Sequence, residues 1–250
     1  MASQLDVENL SVRYGDLVAL RGVSIHVSEG EVVCVIGPNG AGKSTLLAAI
    51  AGGVAPAAGG IRFDGQSLVG RRPEQIARLR LSLVPEGRCI FGTLTVDENL
   101  QIGGYMLSDS RAAREARDRM FTLFPRLHER RDYPASRLSG GEQQMLAVAR
   151  AVMTRPRLLL IDEPSLGLAP KIIEQIYEIL LDLRQHEQLT LLINEQSSSR
   201  ILKFADRIYV LRSGVVQLEG RAEDLRDGEA IRHAYFGFAS AKSAHTGTAT

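Results

Sequence analysis

The run Gly37-Pro38-Asn39-Gly40-Ala41-Gly42-Lys43-Ser44-Thr45 has the residue types and spacing of a phosphate-binding loop, G-x-x-x-x-G-K-[ST]. Glycines let successive backbone N–H groups turn inward around phosphate oxygens. A helix opening at Lys43 would add the partial positive charge of its N-terminus. Lys43 has the reach to meet the β- and γ-phosphates as a point charge. Ser44 offers a hydroxyl to Mg²⁺, and Thr45 a contact further back along the phosphates. An apolar run, Leu158 to Ile161, ends in the carboxylates Asp162 and Glu163. In a parallel sheet, ligands collect at the carboxyl ends of strands. Asp162 is thereby expected to hold the Mg²⁺ shell and Glu163 to polarise an attacking water.

Between these motifs lies Leu138-Ser139-Gly140-Gly141-Glu142-Gln143-Gln144. Ser139 and Glu142 read as a capping box that opens a helix. Two glycines exceed what a cap needs and leave N–H groups free for a second phosphate at Ser139, Gly140 and Gly141. The nucleotide already fills the first loop, so the anion suited to this second site is the γ-phosphate held by another subunit.

These motifs need a scaffold of strands that end side by side. Leu5 to Val12, Val23 to Val27 and Glu31 to Ile36 read as strands, punctuated by turns at Gly15-Asp16 and Glu29-Gly30. A helix is predicted from Lys43 to about Ala51, stopped by Gly52-Gly53. Ile61 to Asp64 reads as another strand, with a turn at Asp64-Gly65. The region from about Leu94 to Arg155 reads as a helical lobe, with Ala113, Ala116, Met120, Phe121 and Phe124 at helical spacing. Strands return at Leu158 to Asp162, Thr190 to Ile193 and Arg207 to Leu211. A helix entered at Pro170 lies between the first two and carries Ile172, Ile173, Ile176, Ile179, Leu180 and Leu183 on one face. The alternation predicts an α/β fold: a mostly parallel core sheet, an N-terminal antiparallel β-subdomain and an inserted helical lobe.

The chain's 250 residues, 44% of them hydrophobic, suffice for one large α/β domain. Thirty Lys and Arg against 29 Asp and Glu leave no electrostatic reason to hold nucleic acid. Cys34 and Cys89 are too few for a disulfide framework and are expected to be reduced, packed residues. Apolar runs are strand-length, far short of the ~20 residues of a membrane span, and no secretory signal is expected. Arg71-Arg72 and Arg130-Arg131 read as solvated faces. Residues 238–250 are small and polar and read as a flexible tail beyond a domain of 1–237.

The three motifs, in this order and approximate spacing, resemble the ABC-type ATPases over nearly the whole chain. That resemblance implies that the bound nucleotide is ATP and that Tyr14 stacks on its adenine. It implies that the segment from Ser165 to Pro170 touches an opposing subunit. Two positions depart from the usual family pattern. Val84-Pro85-Glu86-Gly87-Arg88 places Glu86 where most members carry a Mg²⁺-binding glutamine; a carboxylate also ligates Mg²⁺. Ile193-Asn194-Glu195-Gln196 places Gln196 where most carry a histidine. Glutamine can donate to the γ-phosphate but carries no proton, which leaves Glu163 as the base.

Together with Ser165-Leu166-Gly167-Leu168-Ala169-Pro170 and Ala234-Tyr235-Phe236-Gly237, these departures resemble one branch, the shorter ATPase subunit of branched-chain (hydrophobic) amino acid importers. In that branch an asparagine usually stands where Ser197 stands here. The branch implies a second ATPase subunit (a different chain, with a homodimer as the alternative), two transmembrane permease subunits and an external solute-binding protein. It implies no nucleic acid and a peripheral position on the cytoplasmic face of the inner membrane. Amide and urea importers have similar subunits. Non-transport ABC ATPases share the motifs, but they carry paired cassettes or long coiled coils, and no sustained heptads occur here. A nucleotide-gated regulator with little catalysis is the reading that Gln196 alone would favour, against the intact Asp162-Glu163 pair.

Overall fold

The computed structural model describes residues 3–107, 109–196 and 201–237. The tail from 238 to 250 and Ser197 lie outside the described residues. In chain order the elements begin with β1 (Ser3–Tyr14) and β2 (Leu17–Ser28), an antiparallel pair turning at Gly15-Asp16. β3 (Val32–Ile36) leads into the phosphate loop and α1 (Lys43–Ile50). β4 (Ala58–Phe63), β5 (Gln66–Ser67), α2 (Pro73–Ala77) and β6 (Leu81–Val84) follow. The helical lobe comprises α3 (Val96–Gly103), α4 (Ser110–Leu123), α5 (Pro125–Glu129), a 3-10 turn and α6 (Gly140–Val152). The chain then returns through β7 (Leu158–Asp162), α7 (Pro170–Glu187), β8 (Thr190–Glu195), β9 (Arg207–Arg212), β10 (Val215–Arg221) and α8 (Glu229–Phe236).

The strands form a four-stranded antiparallel sheet, β2-β1-β4-β5, and a six-stranded sheet, β10-β9-β3-β8-β7-β6. The larger sheet is parallel except at its β10 edge. Every residue of β3, β7 and β8 is buried, which is why these segments run apolar without alternating. Their side chains still sort by face. Val33, Val35, Leu158, Leu160 and Leu192 join the antiparallel sheet and α1 in one core. Val32, Cys34, Ile36, Leu159, Ile161 and Ile193 join α6, α7 and the lobe helices in the other. The sheet is thus the shared wall of two hydrophobic layers.

The expected helix at 110–124 is α4, which buries Ala116 and Met120 and leaves Ala113 and Phe121 half-buried. The helix after Pro170 buries Ile173, Ile176, Leu180 and Leu183, with Ile172 and Ile179 at the margin of the face. Three strands carry no signal strong enough to read in the sequence. β5 is two residues long, β6 is four, and β10 is an edge strand whose residues alternate between exposed and half-buried. The N-terminal strands, in contrast, run longer than their apolar centres because β1 pairs on both sides.

Leu192 sits fully buried in β8 between β3 and β7. Leu192→Ala is expected to lower stability by ~2–5 kcal/mol through lost burial and the cavity it leaves. A lower urea midpoint at unchanged slope is the result to look for.

Candidate functional site

Parallel pairing brings three strand ends to one level. Ile36 of β3 lies beside Glu195 of β8, and Asn194 of β8 beside Asp162 of β7. The phosphate loop leaves β3 at this level, so the loop, Asp162-Glu163 and Asn194-Glu195-Gln196 converge. An open cleft of about 530 Å³ is lined by Tyr14, the loop from Asn39 to Thr45, Glu86, Glu163, Leu166 and Gln196. That volume is in the range of ordinary small-molecule sites.

The loop's geometry needs its glycines at two points. A Cβ at Gly37 would collide with the Leu211 carbonyl oxygen of β9. Gly42 has φ 105°, and a Cβ there would stand 2.6 Å from Leu20 Cδ2 and 2.8 Å from the Ala19 carbonyl oxygen. Gly42 is also the N-cap of α1, with no side-chain cap bond and no acidic residue in the first turn. The first N–H groups of α1 are therefore left to an external acceptor.

Lys43 is 4% exposed and points back under the loop. Its ammonium donates to the carbonyl oxygens of Gly37 at 2.8 Å and Pro38 at 3.4 Å. It also pairs with Glu163 Oε1 at 3.2 Å. Glu163 adopts a left-handed backbone, φ 47°, directly after β7, and its N–H donates to the Asn194 carbonyl oxygen at 3.1 Å. This kink turns its side chain back over the loop. The Gln196 side-chain amide donates to Glu163 Oε2 at 2.8 Å and to Asn39 Oδ1 at 2.7 Å. One amide thus ties the phosphate loop to the carboxylate.

Asp162 is 6% exposed and accepts from Asn194 Nδ2 at 3.0 Å. Among the described residues no lysine or arginine pairs with it. A buried carboxylate with a single neutral donor keeps uncompensated charge. Beside it, Asn194 Oδ1 is buried without a hydrogen-bond partner. Among the described residues, no group of three or more His, Cys, Asp or Glu side chains is placed to hold a metal. Of the expected cation ligands, Ser44 and Glu86 line the cleft, while Asp162 is buried at the end of β7 outside that lining; all three are oxygen donors of the kind a hard divalent cation takes.

Ser139, Gly140 and Gly141 do not line this cleft. The capping box is present: Ser139 Oγ accepts from Glu142 N–H at 3.3 Å, and Glu142 Oε2 from Ser139 N–H at 2.8 Å. Gly141 also has a packing reason that the sequence does not reveal: a Cβ there would stand 2.7 Å from Ile172 Cγ2. Gly140 lies only against the movable end of Arg88. Arg88 donates to Gln143 Oε1 at 2.9 Å. Arg130, expected on a solvated face, is 43% exposed there and also pairs with Glu142 at 3.1 Å. Burial works against ionisation of Glu142, but the Ser139 N–H and hydroxyl, then Arg130 and Arg126, hold its carboxyl below its ordinary range. The cysteines also divide. Cys34 is buried, and burial pushes its thiol well above the ordinary value; Cys89 is exposed, not packed as expected.

Sequence reasoning missed Asn194, Glu195 and the Lys43–Glu163 pair. Polar residues ending a buried strand at Asn194 and Glu195 were the available signal for the first two.

A parallel sheet with a phosphate loop at the end of a central strand, a carboxylate pair at the end of the next strand but one and a helical lobe defines an ATP-binding cassette. The chain belongs to the ABC transporter family, whose model matches residues 20–166. It is 47% identical to the high-affinity branched-chain amino acid transport ATP-binding protein BraG of Pseudomonas aeruginosa, over 93% of this chain and 99% of that protein. The ADP conformation of MJ1267, an ATP-binding cassette of an ABC transporter, superposes with a TM-score of 0.80 at 28% identity, covering 95% of this chain and 100% of that one. The dimeric structure of MJ0796, a bacterial ABC transporter cassette, gives 0.79 at 25% identity, covering 87% and 98%. Among the described residues no helix is long and apolar enough to cross a membrane.

Gly42→Ala is expected to add ~1–3 kcal/mol of backbone strain to the loop. Its nucleotide Kd, read by titration calorimetry, should rise about tenfold or more. For Glu142, the lowered carboxyl gives a contribution to folding that is present above its unfolded value near 4.5 and lost as pH falls through the folded value. Urea midpoints followed from neutral pH downward should therefore fall less steeply in Glu142→Gln than in the parent.

Proposed function

We propose that this chain is the ATP-hydrolysing subunit that drives an importer of branched-chain or other hydrophobic amino acids. Identity with BraG over nearly the full length of both chains is the observation that carries this reading. The proposed cassette spans residues 1–237, with the helical lobe inserted at about 94–155.

Tyr14, half exposed at the mouth of the cleft, supplies a face for adenine. The loop from Gly37 to Thr45 binds the phosphates. Ser44, Asp162 and Glu86 hold Mg²⁺, which when bound neutralises charge on the phosphate oxygens. Lys43 is the ammonium that a γ-phosphate claims. As it does so, Glu163 loses one partner and keeps the Gln196 amide. The freed Oε1 is then available to accept a proton from an attacking water. Gln196 cannot take that proton. It steers Glu163 and donates to the γ-phosphate.

Ser139, Gly140 and Gly141 lie outside the chain's own cleft, which supports a head-to-tail pair in which each cassette offers this helix end to its partner's nucleotide. A dimeric relative of the same fold supports the pairing of two cassettes. The partner is read as a different ATPase chain. Two transmembrane permeases and an external solute-binding protein complete the assembly, with this subunit on the cytoplasmic face of the membrane.

Two measurements test the proposal. Glu163→Gln is expected to bind ATP, accumulate as an ATP-dependent dimer on gel filtration with its partner cassette, and lose turnover roughly 10²–10⁴-fold. Full turnover in that variant would remove Glu163 from the role of base. Deletion of the gene is expected to abolish uptake of labelled leucine or valine. Loss of amide or urea uptake instead would reassign the solute.

A further inference from the structure

The end of β8 carries a second carboxylate that the phosphate chemistry does not use. Glu195 is 2% exposed, and no lysine or arginine pairs with it among the described residues. Its partners are neutral donors from three places. The Tyr177 hydroxyl of α7 donates to Oε1 at 2.8 Å. The Ser165 hydroxyl donates to Oε2 at 2.8 Å. The Gln196 backbone N–H also donates to Oε2, at 3.3 Å. A buried carboxylate held only by neutral donors is a costly way to end a strand, and a well-packed apolar residue would be more stable there.

The donors explain what the charge does. Ser165 stands two residues after Glu163, in the turn from β7 to α7, where its neighbour Leu166 is half exposed at the cleft. The turn is tight: Leu166 N–H donates to the Glu163 carbonyl oxygen at 3.2 Å, and Gly167 is left-handed. On the other side, the Gln196 side chain holds Glu163 Oε2 and Asn39 Oδ1. Oε2 of Glu195 is therefore shared between the exposed turn and the residue that orients the base. Two donors that share one acceptor are coupled, because displacing one changes the strength and geometry of the other. Tyr177 holds the carboxylate's other oxygen and keeps the group from rotating away.

We propose that Glu195 is a positioning residue that links the Ser165 turn to Gln196 and so fixes the orientation of Glu163. This rests on the function proposed above and names the side chain that ties the turn after β7 to the reacting carboxylate. It predicts an effect on turnover rather than on nucleotide affinity, because none of the three bonds reaches the phosphate loop directly.

The test measures ATP turnover of the full chain with its partner cassette, together with ATP binding and thermal unfolding. Ser165→Ala should lower kcat roughly tenfold, the size of one lost hydrogen bond to a charged group. KM for ATP should stay at the parent value, while the unfolding midpoint falls by a few degrees because a buried carboxylate oxygen loses a donor. Ser165→Thr, which keeps the hydroxyl, should restore kcat. Ser165→Ala combined with Glu195→Gln should be no slower than the slower single variant, as expected for residues acting through one path. If Glu195→Gln does not fold, the same cycle is run with Gln196→Ala. Unchanged kcat in Ser165→Ala, or losses that multiply in the double variant, would overturn the proposal. Neither result would touch the assignment of Glu163, which stands or falls on Glu163→Gln alone.

Discussion

The buried ammonium of Lys43 is the interaction on which the site depends. At 4% exposure it has given up most of its water, and the chain must replace that hydration. Gly37 and Pro38 do so with carbonyl oxygens, and Glu163 with a carboxylate at 3.2 Å. Each compensation imposes a shape. The loop can fold back over its own lysine only if the backbone passes close to β9 at Gly37 and turns left-handed at Gly42. Glu163 can reach inward only from a left-handed backbone immediately after a buried strand. The unusual conformations around the cleft thus follow from keeping one charge dry and still available to a stronger anion.

The larger sheet makes this arrangement rigid. β3, β7 and β8 are covered on both faces, so none of them can slip without exposing apolar surface. Their register fixes Ile36 beside Glu195 and Asp162 beside Asn194. The polar residues stand one or two positions beyond the last apolar side chain of each strand. They inherit the precision of the strands while remaining close enough to the cleft to meet a ligand.

Much of this was legible in the sequence, because the strongest signals are local. The phosphate loop, the strand ending in Asp162-Glu163 and the capping box at Ser139 each declare themselves within a few residues, and α4 and α7 do so by apolar spacing. What was hidden depends on neighbours distant in the chain. β6 and β10 are strands because of the partners they pair with, not because of their own pattern. Gly141 reads as a phosphate-binding glycine, yet it also makes room for Ile172. Arg130 reads as a surface charge until Glu142 comes beside it. Glu195 and Asn194 fall beyond the strand read at Thr190 to Ile193, although both belong to β8 and are buried and hydrogen-bonded. Such roles arise from register between strands far apart in sequence, which periodicity cannot report.

The two anion-binding elements of the chain face different tasks, and their surroundings explain why one molecule does not combine them. α1 opens with no cap of its own and so presents its N-terminus to the cleft. α6 is capped by Ser139 and Glu142, and it is braced by Ile172 on one side and the Arg88 guanidinium on the other. That bracing holds the Ser139–Gly141 turn in place without a ligand. A short segment near Glu86 reaches from the cleft to α6. Glu86 lines the cleft, while Gly87, Arg88 and Cys89 run left-handed in succession, so that Arg88 bonds Gln143 and the Cys89 carbonyl oxygen accepts from Arg150 at 2.7 Å. In the proposed head-to-tail pair, α6 is the element presented to the other subunit's nucleotide.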